Sequence, residues 1–129
     1  AIMIKLTFCL TRKDGMTREE FQDYWLNRHG PLVRKHAKAL HIKRYVQFHS
    51  RDLPDTDPLR ASRAGSLEEA PATYDGVAEL WWENLDELRA GTQTEEGLAA
   101  GRALLEDEAK FIAFKSSPLW FGEEEVIVG

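Results

Sequence analysis

Hydrophobic and polar positions alternate at the start of the chain. Ile2, Ile4, Leu6, Phe8 and Leu10 interleave with Met3, Lys5, Thr7, Cys9 and Thr11, a period of two that predicts a β-strand with the first set on one face. The second face is mixed rather than charged, so it too is expected to be covered. Lys13-Asp14-Gly15 marks a turn. The period then changes. Thr17 and Glu20 make a capping box, in which each side chain satisfies a free N–H at a helix start, and Phe21, Tyr24, Trp25 and Arg28 recur at helical spacing. Asn27-Arg28-His29-Gly30-Pro31 predicts a break, with Gly30 as a left-handed C-cap. Pro31 then opens a renewed helix carrying Leu32, Val33, His36, Ala37 and Leu40.

A second strand is predicted over 42–49, with Ile42, Arg44, Val46 and Phe48 opposed to Lys43, Tyr45, Gln47 and His49. Residues 51–73 hold Pro54, Pro58 and Pro71 among polar residues and exceed what a hairpin needs. That length predicts a disordered connection or a functional flap, with a turn of helix at Leu67 to Ala70. Gly76 to Trp82 reads as the third strand. Asn84 with Glu87 caps a short helix ending at Gly91. Thr94 starts a longer one with Leu98, Arg102, Leu105, Ala109 and Ile112 at spacings of three and four. Pro118 precedes a last strand, Leu119 to Val128. The order β-α-β-β-α-β belongs to the α+β class. Right-handed crossovers place both helices on one face of a four-stranded antiparallel sheet, the ferredoxin-like arrangement. The other face needs cover, and the same face of a second copy supplies it, so a homodimer packed sheet against sheet is expected.

Composition narrows the function classes. With 129 residues the chain fits a single domain over 1–129, into which 51–73 is inserted; 43% apolar and 30% charged residues support a core and exclude overall disorder. No apolar run is long enough to span a membrane, and no basic segment followed by a long apolar run suggests a secretory signal. Seventeen Lys and Arg against 22 Asp and Glu give a net charge of −5, which brings no general attraction for nucleic acid or anionic lipid. A lone Cys9 permits no intramolecular disulfide, so a reducing, cytoplasmic setting is expected.

Candidate chemistry centres on His29. At a helix break its ring can project from a helix end, and an imidazole near its ordinary pKa accepts and returns a proton at neutral pH. The structural alternative is a histidine that caps the last free carbonyls of the helix. Glu79 lies mid-strand between Val77 and Trp81, where an indole would desolvate the carboxylate and raise its pKa; a structural ion pair with Arg44 or Arg28 is the alternative. Asp107 is a general base or a surface residue, because Glu106-Asp107-Glu108 is an acidic run of the kind that usually marks a solvated face. Tyr24, Trp25, Tyr45 and Trp81 line an apolar pocket for a planar ligand or are simple core. His36 faces the same pocket or is a hydrogen-bonded core residue. Cys9 reads as a small buried hydrophobe. No metal is expected, since His29, His36, His41 and His49 lack ligand spacing, and no Gly-rich phosphate loop follows a strand.

The pieces Phe21-x-x-Tyr24-Trp25-x-x-x-His29-x-Pro31-Leu32, Arg44-Tyr45, Asp75-Gly76-Val77-Ala78-Glu79-Leu80-Trp81 and Asp107-Glu108-x-x-Phe111 occur in this order after a first strand ending at Lys13. Together they resemble the EthD family of the dimeric α/β barrel superfamily, from whose shorter connection residues 51–73 depart. The resemblance implies cofactor-free chemistry on small, often cyclic or aromatic-derived compounds. Superfamily relatives include muconolactone-type isomerases, polyketide cyclases and monooxygenases that use neither metal nor flavin. Haem binding elsewhere in the superfamily uses a histidine on the later helix, and here no histidine follows His49.

The expected function is therefore a cofactor-independent isomerase, cyclase or lyase acting by proton transfer on a small carbonyl- or lactone-containing metabolite. His29, Glu79 and Asp107 are its expected catalytic groups, and Tyr24, Trp25, His36, Tyr45 and Trp81 its substrate contacts. A non-catalytic small-molecule-binding accessory protein and a cofactor-free monooxygenase are the alternatives.

Overall fold

Strand β1 (Ile4–Leu10) runs through the middle of an antiparallel sheet, between β3 (Gly76–Trp82) and β4 (Leu119–Gly122), with β2 (Arg44–His49) outside β3. The computed structural model describes residues 3–129, so the strand position expected for Ile2 lies outside the described residues. The order β2-β3-β1-β4 is the ferredoxin-like sheet of the α+β class. Register sorts the faces. Phe8 pairs with Ala78, Leu10 with Gly76, and Tyr45 with Leu80, so these residues share the face that packs on Phe21, Trp25 and Phe111. Lys5, Thr7, Cys9, Arg44, Val46, Phe48, Val77, Glu79, Trp81 and Trp120 alternate onto the other face.

Helix α1 (Arg18–Tyr24) starts as its sequence predicts. Thr17 Oγ1 accepts from the Glu20 N–H at 3.1 Å, and Glu20 Oε1 accepts from the Thr17 N–H at 2.9 Å. The expected break at His29-Gly30 does not occur. The chain stays helical through a widened π turn, Trp25–His29, into α2 (Gly30–His36), and Gly30 is right-handed at φ −54°. Pro31 has no N–H to continue the regular ladder, so the turn before it opens and the Gly30 N–H reaches back to the Trp25 carbonyl. Gln47 Nε2 donates to the same carbonyl at 2.8 Å. The widening has a consequence for packing: Phe21, Trp25, His29 and Val33, four apart, are all buried on one side. Over a regular helix that spacing would drift by about 40° per step.

The segment 51–73 is ordered rather than a disordered connection. A 3₁₀ turn, Pro54–Thr56, leads into helix α3 (Asp57–Ala64), which ends at Gly65 with φ +95°. The expected turn follows, with the Ala70 N–H donating to the Leu67 carbonyl. Arg18 pins both ends of the segment by donating to Asp52, Thr73 and Asp75. Asp75, 2% exposed, also accepts the Arg12 N–H at 2.7 Å.

After α4 (Leu85–Ala90), helix α5 (Glu95–Glu108) is turned by one residue relative to the expected stripe. Leu98 and Leu105 are half exposed, whereas Gly97, Ala100 and Leu104 are buried, and Phe111 and Ile112 extend the buried line. Small residues set this phase: a β-carbon at position 97 would lie 1.8 Å from the Gly91 carbonyl oxygen, so only glycine allows the approach. Strand β4 stops at Gly122 and does not reach Val128. The acidic run after it folds back instead, and Glu124 accepts from Trp81 Nε1 at 2.6 Å and Lys5 Nζ at 3.2 Å.

Candidate active site

The π turn delivers the His29 ring, 4% exposed, beneath the C-terminal end of α5. Consecutive helical residues point about 100° apart, so Asp107 and Glu108 of α5 reach opposite sides of that ring. Asp107 Oδ2 lies 2.7 Å from His29 Nδ1, and the Tyr24 hydroxyl donates to Asp107 Oδ1 at 2.6 Å. The fully buried Phe111 ring backs both partners, with centroids 5.0 Å from Tyr24 and 5.2 Å from His29.

These surroundings set the protonation states. Burial would raise the Asp107 pKa, but the hydrogen bonds from Tyr24 and His29 and the charges around it outweigh burial and hold it below the usual range. Burial lowers His29, and the pull of Asp107 only partly opposes it. The bond to Asp107 raises the Tyr24 phenol, with burial adding to it. At neutral pH the imidazole is thus neutral, its Nδ1–H donates to an ionised Asp107, and the lone pair sits on Nε2.

Glu108 stands on that second side, with Oε2 3.9 Å from His29 Nε2. Burial, reinforced by the Asp107 charge, pushes its carboxyl up to about 7. Across from it, burial takes the Tyr45 phenol to about 12. Gln47 Nε2 donates to the Tyr45 hydroxyl at 2.9 Å and so ties β2 to the Trp25 carbonyl of the π turn. A groove of about 800 Å³ runs between α2 and β2, walled by Leu26, Gly30, Val33, Arg34, Tyr45 and Gln47. Lys43 and Arg51 also line it, and no Asp or Glu does.

The structure brings His29, Asp107 and Tyr24 into direct contact, with Tyr45 nearby on β2. It separates the remaining expected site residues from them. Glu79 and Trp81 occupy the opposite sheet face. There Glu79 pairs with Lys5 at 2.7 Å, and the Trp81 ring lies between Lys5 and Arg44, 4.8 and 4.9 Å from its centroid. Strand alternation turns both away from the imidazole, and the ion pair expected for Glu79 forms with Lys5 rather than with Arg44 or Arg28. Trp25 is core rather than a ligand contact: it is 1% exposed, stacks on His49 at 4.6 Å, and crowds Gly76 so closely that a β-carbon there would sit 2.4 Å from its ring. His36 ends α2 about 10 Å along the helix from His29, outside the cluster. Cys9 is buried, and burial raises its thiol pKa.

Sequence reasoning missed Glu108, which it placed in a solvated charge run. The missing signal is the phase of α5: Gly97, Ala100, Leu104 and Phe111 define a buried line on which position 108 falls. Among the described residues no group of three or more His, Cys, Asp or Glu is placed to hold a metal ion, and no helix is long and apolar enough to cross a membrane.

Residues 13–115 match the EthD domain. No curated protein matches the chain. Among solved structures, an ethyl tert-butyl ether D (EthD) family protein from Bacillus halodurans superposes with a TM-score of 0.60 at 22% identity, covering 96% of this chain and 100% of that one. An EthD-like protein from Ralstonia eutropha gives 0.58 at 18% identity, covering 98% and 94%. A dimeric ferredoxin-like protein of unknown function from Thermobifida fusca gives 0.59 at 15% identity, covering 96% and 92%. At these identities the likeness is one of fold.

Proposed function

This chain belongs to the EthD family, and from the site it carries we propose that it is a proton-transfer enzyme: a cofactor-independent isomerase, cyclase or lyase acting on a small carbonyl- or lactone-containing metabolite. One observation carries the proposal. Asp107 Oδ2 accepts the hydrogen bond of the Nδ1–H of a buried His29 at 2.7 Å, which leaves Nε2 as an oriented base in a site largely closed to water. The substrate lies in the groove beside α2 and reaches inward past Tyr45. His29 Nε2 removes a proton from the carbon next to the carbonyl, and the bond to Asp107 strengthens as the imidazolium forms. The same ring then returns the proton at that carbon or at the far end of a conjugated system. Tyr24 acts through Asp107 as a positioning residue. General-base catalysis of this kind contributes about 10²–10⁴-fold. A second copy of the chain covers the outer sheet face.

Solvent-deuterium exchange tests the proposal, with a β,γ-unsaturated butenolide, a cyclic ketone and a β-keto lactone as probes. Wild-type protein is expected to place deuterium beside the carbonyl of at least one probe, and His29→Gln to lower that rate at least a hundredfold. Binding of all three with no exchange above buffer would replace the enzyme by the accessory-protein alternative.

A further inference from the structure

Glu108 is a partly buried carboxyl that no step above uses. Its side chain is 21% exposed, it makes no hydrogen bond to a described residue, and no polar side-chain atom among the described residues is both fully buried and unpartnered. Its oxygens therefore keep a route to a ligand. A carboxyl that hydrogen-bonds to no described residue, 3.9 Å from the free nitrogen of an oriented imidazole, is placed to act on a third body.

Distances limit what that body is. At 3.9 Å, Oε2 and His29 Nε2 are too far apart to hydrogen-bond each other. Both can nevertheless lie about 2.8–3.2 Å from neighbouring atoms of one compact group. In a carbonyl compound the α-carbon and the carbonyl oxygen are about 2.4 Å apart. A base over the first and an acid over the second then stand close together on the same side of the molecule, as these two do.

Resting on the proton-transfer reading above, we propose that Glu108 is the catalytic acid that protonates the carbonyl oxygen while His29 deprotonates the adjacent carbon, so that the substrate is a compact enolisable ketone or lactone. The step balances. The α C–H bond breaks and its proton goes to Nε2, the Glu108 O–H bond breaks and its proton goes to the carbonyl oxygen, and the C–H electron pair becomes the enol double bond. Neutral imidazole and neutral carboxyl become imidazolium and carboxylate, which stabilise each other, and reversal restores both. No oxidant or second reactant is required. The groups that face the Glu108 carboxyl are Asp107 on its own helix, His29 on the π turn and Tyr45 on β2, with Lys110 3.7 Å from the far oxygen of Asp107. A carboxyl raised to about 7 beside a lowered imidazole supplies the acid and base forms together in weakly acidic solution.

The test combines kinetics on the three probes named above with a ¹³C-carboxyl NMR titration of glutamate-labelled full-length protein. Glu108→Gln is expected to lower kcat for exchange 30-fold or more with KM within threefold, and to abolish the fall in rate above pH 7. In the wild type one glutamate carboxyl is expected to titrate near 7, and Glu108→Gln removes that signal. A wild type that exchanges no probe sinks the proton-transfer reading and this assignment with it. Active wild type, inactive His29→Gln and Glu108→Gln within threefold of wild type would overturn the Glu108 assignment alone. So would a Glu108 carboxyl that titrates below pH 5.

Discussion

Lys5 Nζ lies 2.7 Å from Glu79 Oε2 on the sheet face turned away from His29. The pair neutralises two charges on a surface that also carries Thr7, Arg44, Val46, Phe48, Val77 and Trp120, with Phe48 58% and Trp120 52% exposed. A sheet with one helix-covered face and one such face fits burial against its own copy. Val46→Asp places an unpaired carboxylate among these side chains. Sedimentation at micromolar concentration should show a wild-type dimer and a Val46→Asp monomer. Wild-type protein that sediments as a monomer removes the proposed dimer.

Asp107 fixes which imidazole nitrogen carries the proton. Asp107→Asn offers an amide in place of a carboxylate acceptor, so the ring loses its fixed tautomer and the imidazolium its counter-charge. Exchange should fall about 10²-fold or more. Tyr24→Phe is milder and moves a pH profile. Without the phenol donor the carboxylate is less stabilised by its surroundings and holds the imidazolium more tightly. The His29 pKa therefore rises, and the acid limb of the rate profile shifts to higher pH. An unchanged acid limb would show that Tyr24 does not act through Asp107.

Glu108 also links activity to stability. Its folded pKa of about 7 lies above the ordinary 4.5, so the folded state binds the proton more tightly than the unfolded chain does. Stability from this group is fully present below pH 4.5 and is lost as pH rises through 7. The loss is on the order of 3 kcal/mol once the carboxyl is ionised in both states. Glu108→Gln cannot ionise. Its melting temperature should match wild type near pH 5 and exceed it by several degrees at pH 8. Equal melting temperatures at both pH values would mean that the carboxylate is solvated without cost.

The sheet was legible because alternation needs only a period of two, and β1 and β3 follow it. The helices were legible at their capped starts, where Thr17, Asn84 and Thr94 accept backbone N–H groups as their sequences suggest. Phase was harder to read. Gly30-Pro31 signals a helix boundary locally, but burial of the line from Phe21 to Val33 favours a widened turn over a break. In α5 the leucines Leu98 and Leu105 outweighed Gly97 and Ala100 as apolar signals, yet close packing selects the small residues for the inside. A run of acidic residues usually marks a solvated face, and only the phase of α5 reveals that Glu108 falls on its buried line. For Glu79 the ion-pair alternative holds but with Lys5 as partner: alternation fixes its face, but which sheet face the helices cover depends on contacts remote in sequence.

Charge in the groove makes a prediction about the substrate's far end. Arg34, Lys43, Arg44 and Arg51 line it without a carboxylate, although the chain as a whole carries a net charge of −5. Arg51 is already engaged with Gln22 and the Ser50 carbonyl, and Arg44 lies over the Trp81 ring, whereas Arg34 and Lys43 make no side-chain hydrogen bond or ion pair with a described residue. Two free cations at a partly enclosed wall favour an anionic substituent on the ligand, and their field is screened over about 10 Å at 0.1 M salt and about 30 Å at 0.01 M. A butenolide bearing a carboxymethyl group should therefore bind at least tenfold more tightly than its methyl ester in dilute buffer. The gap should narrow as salt is added, and Arg34→Ala with Lys43→Ala should close it while leaving ester affinity unchanged. Calorimetry on the two compounds measures each quantity. Equal affinity of wild type for acid and ester at low salt would place the substrate body outside this groove, leaving His29 and Asp107 to be approached from another side of the site.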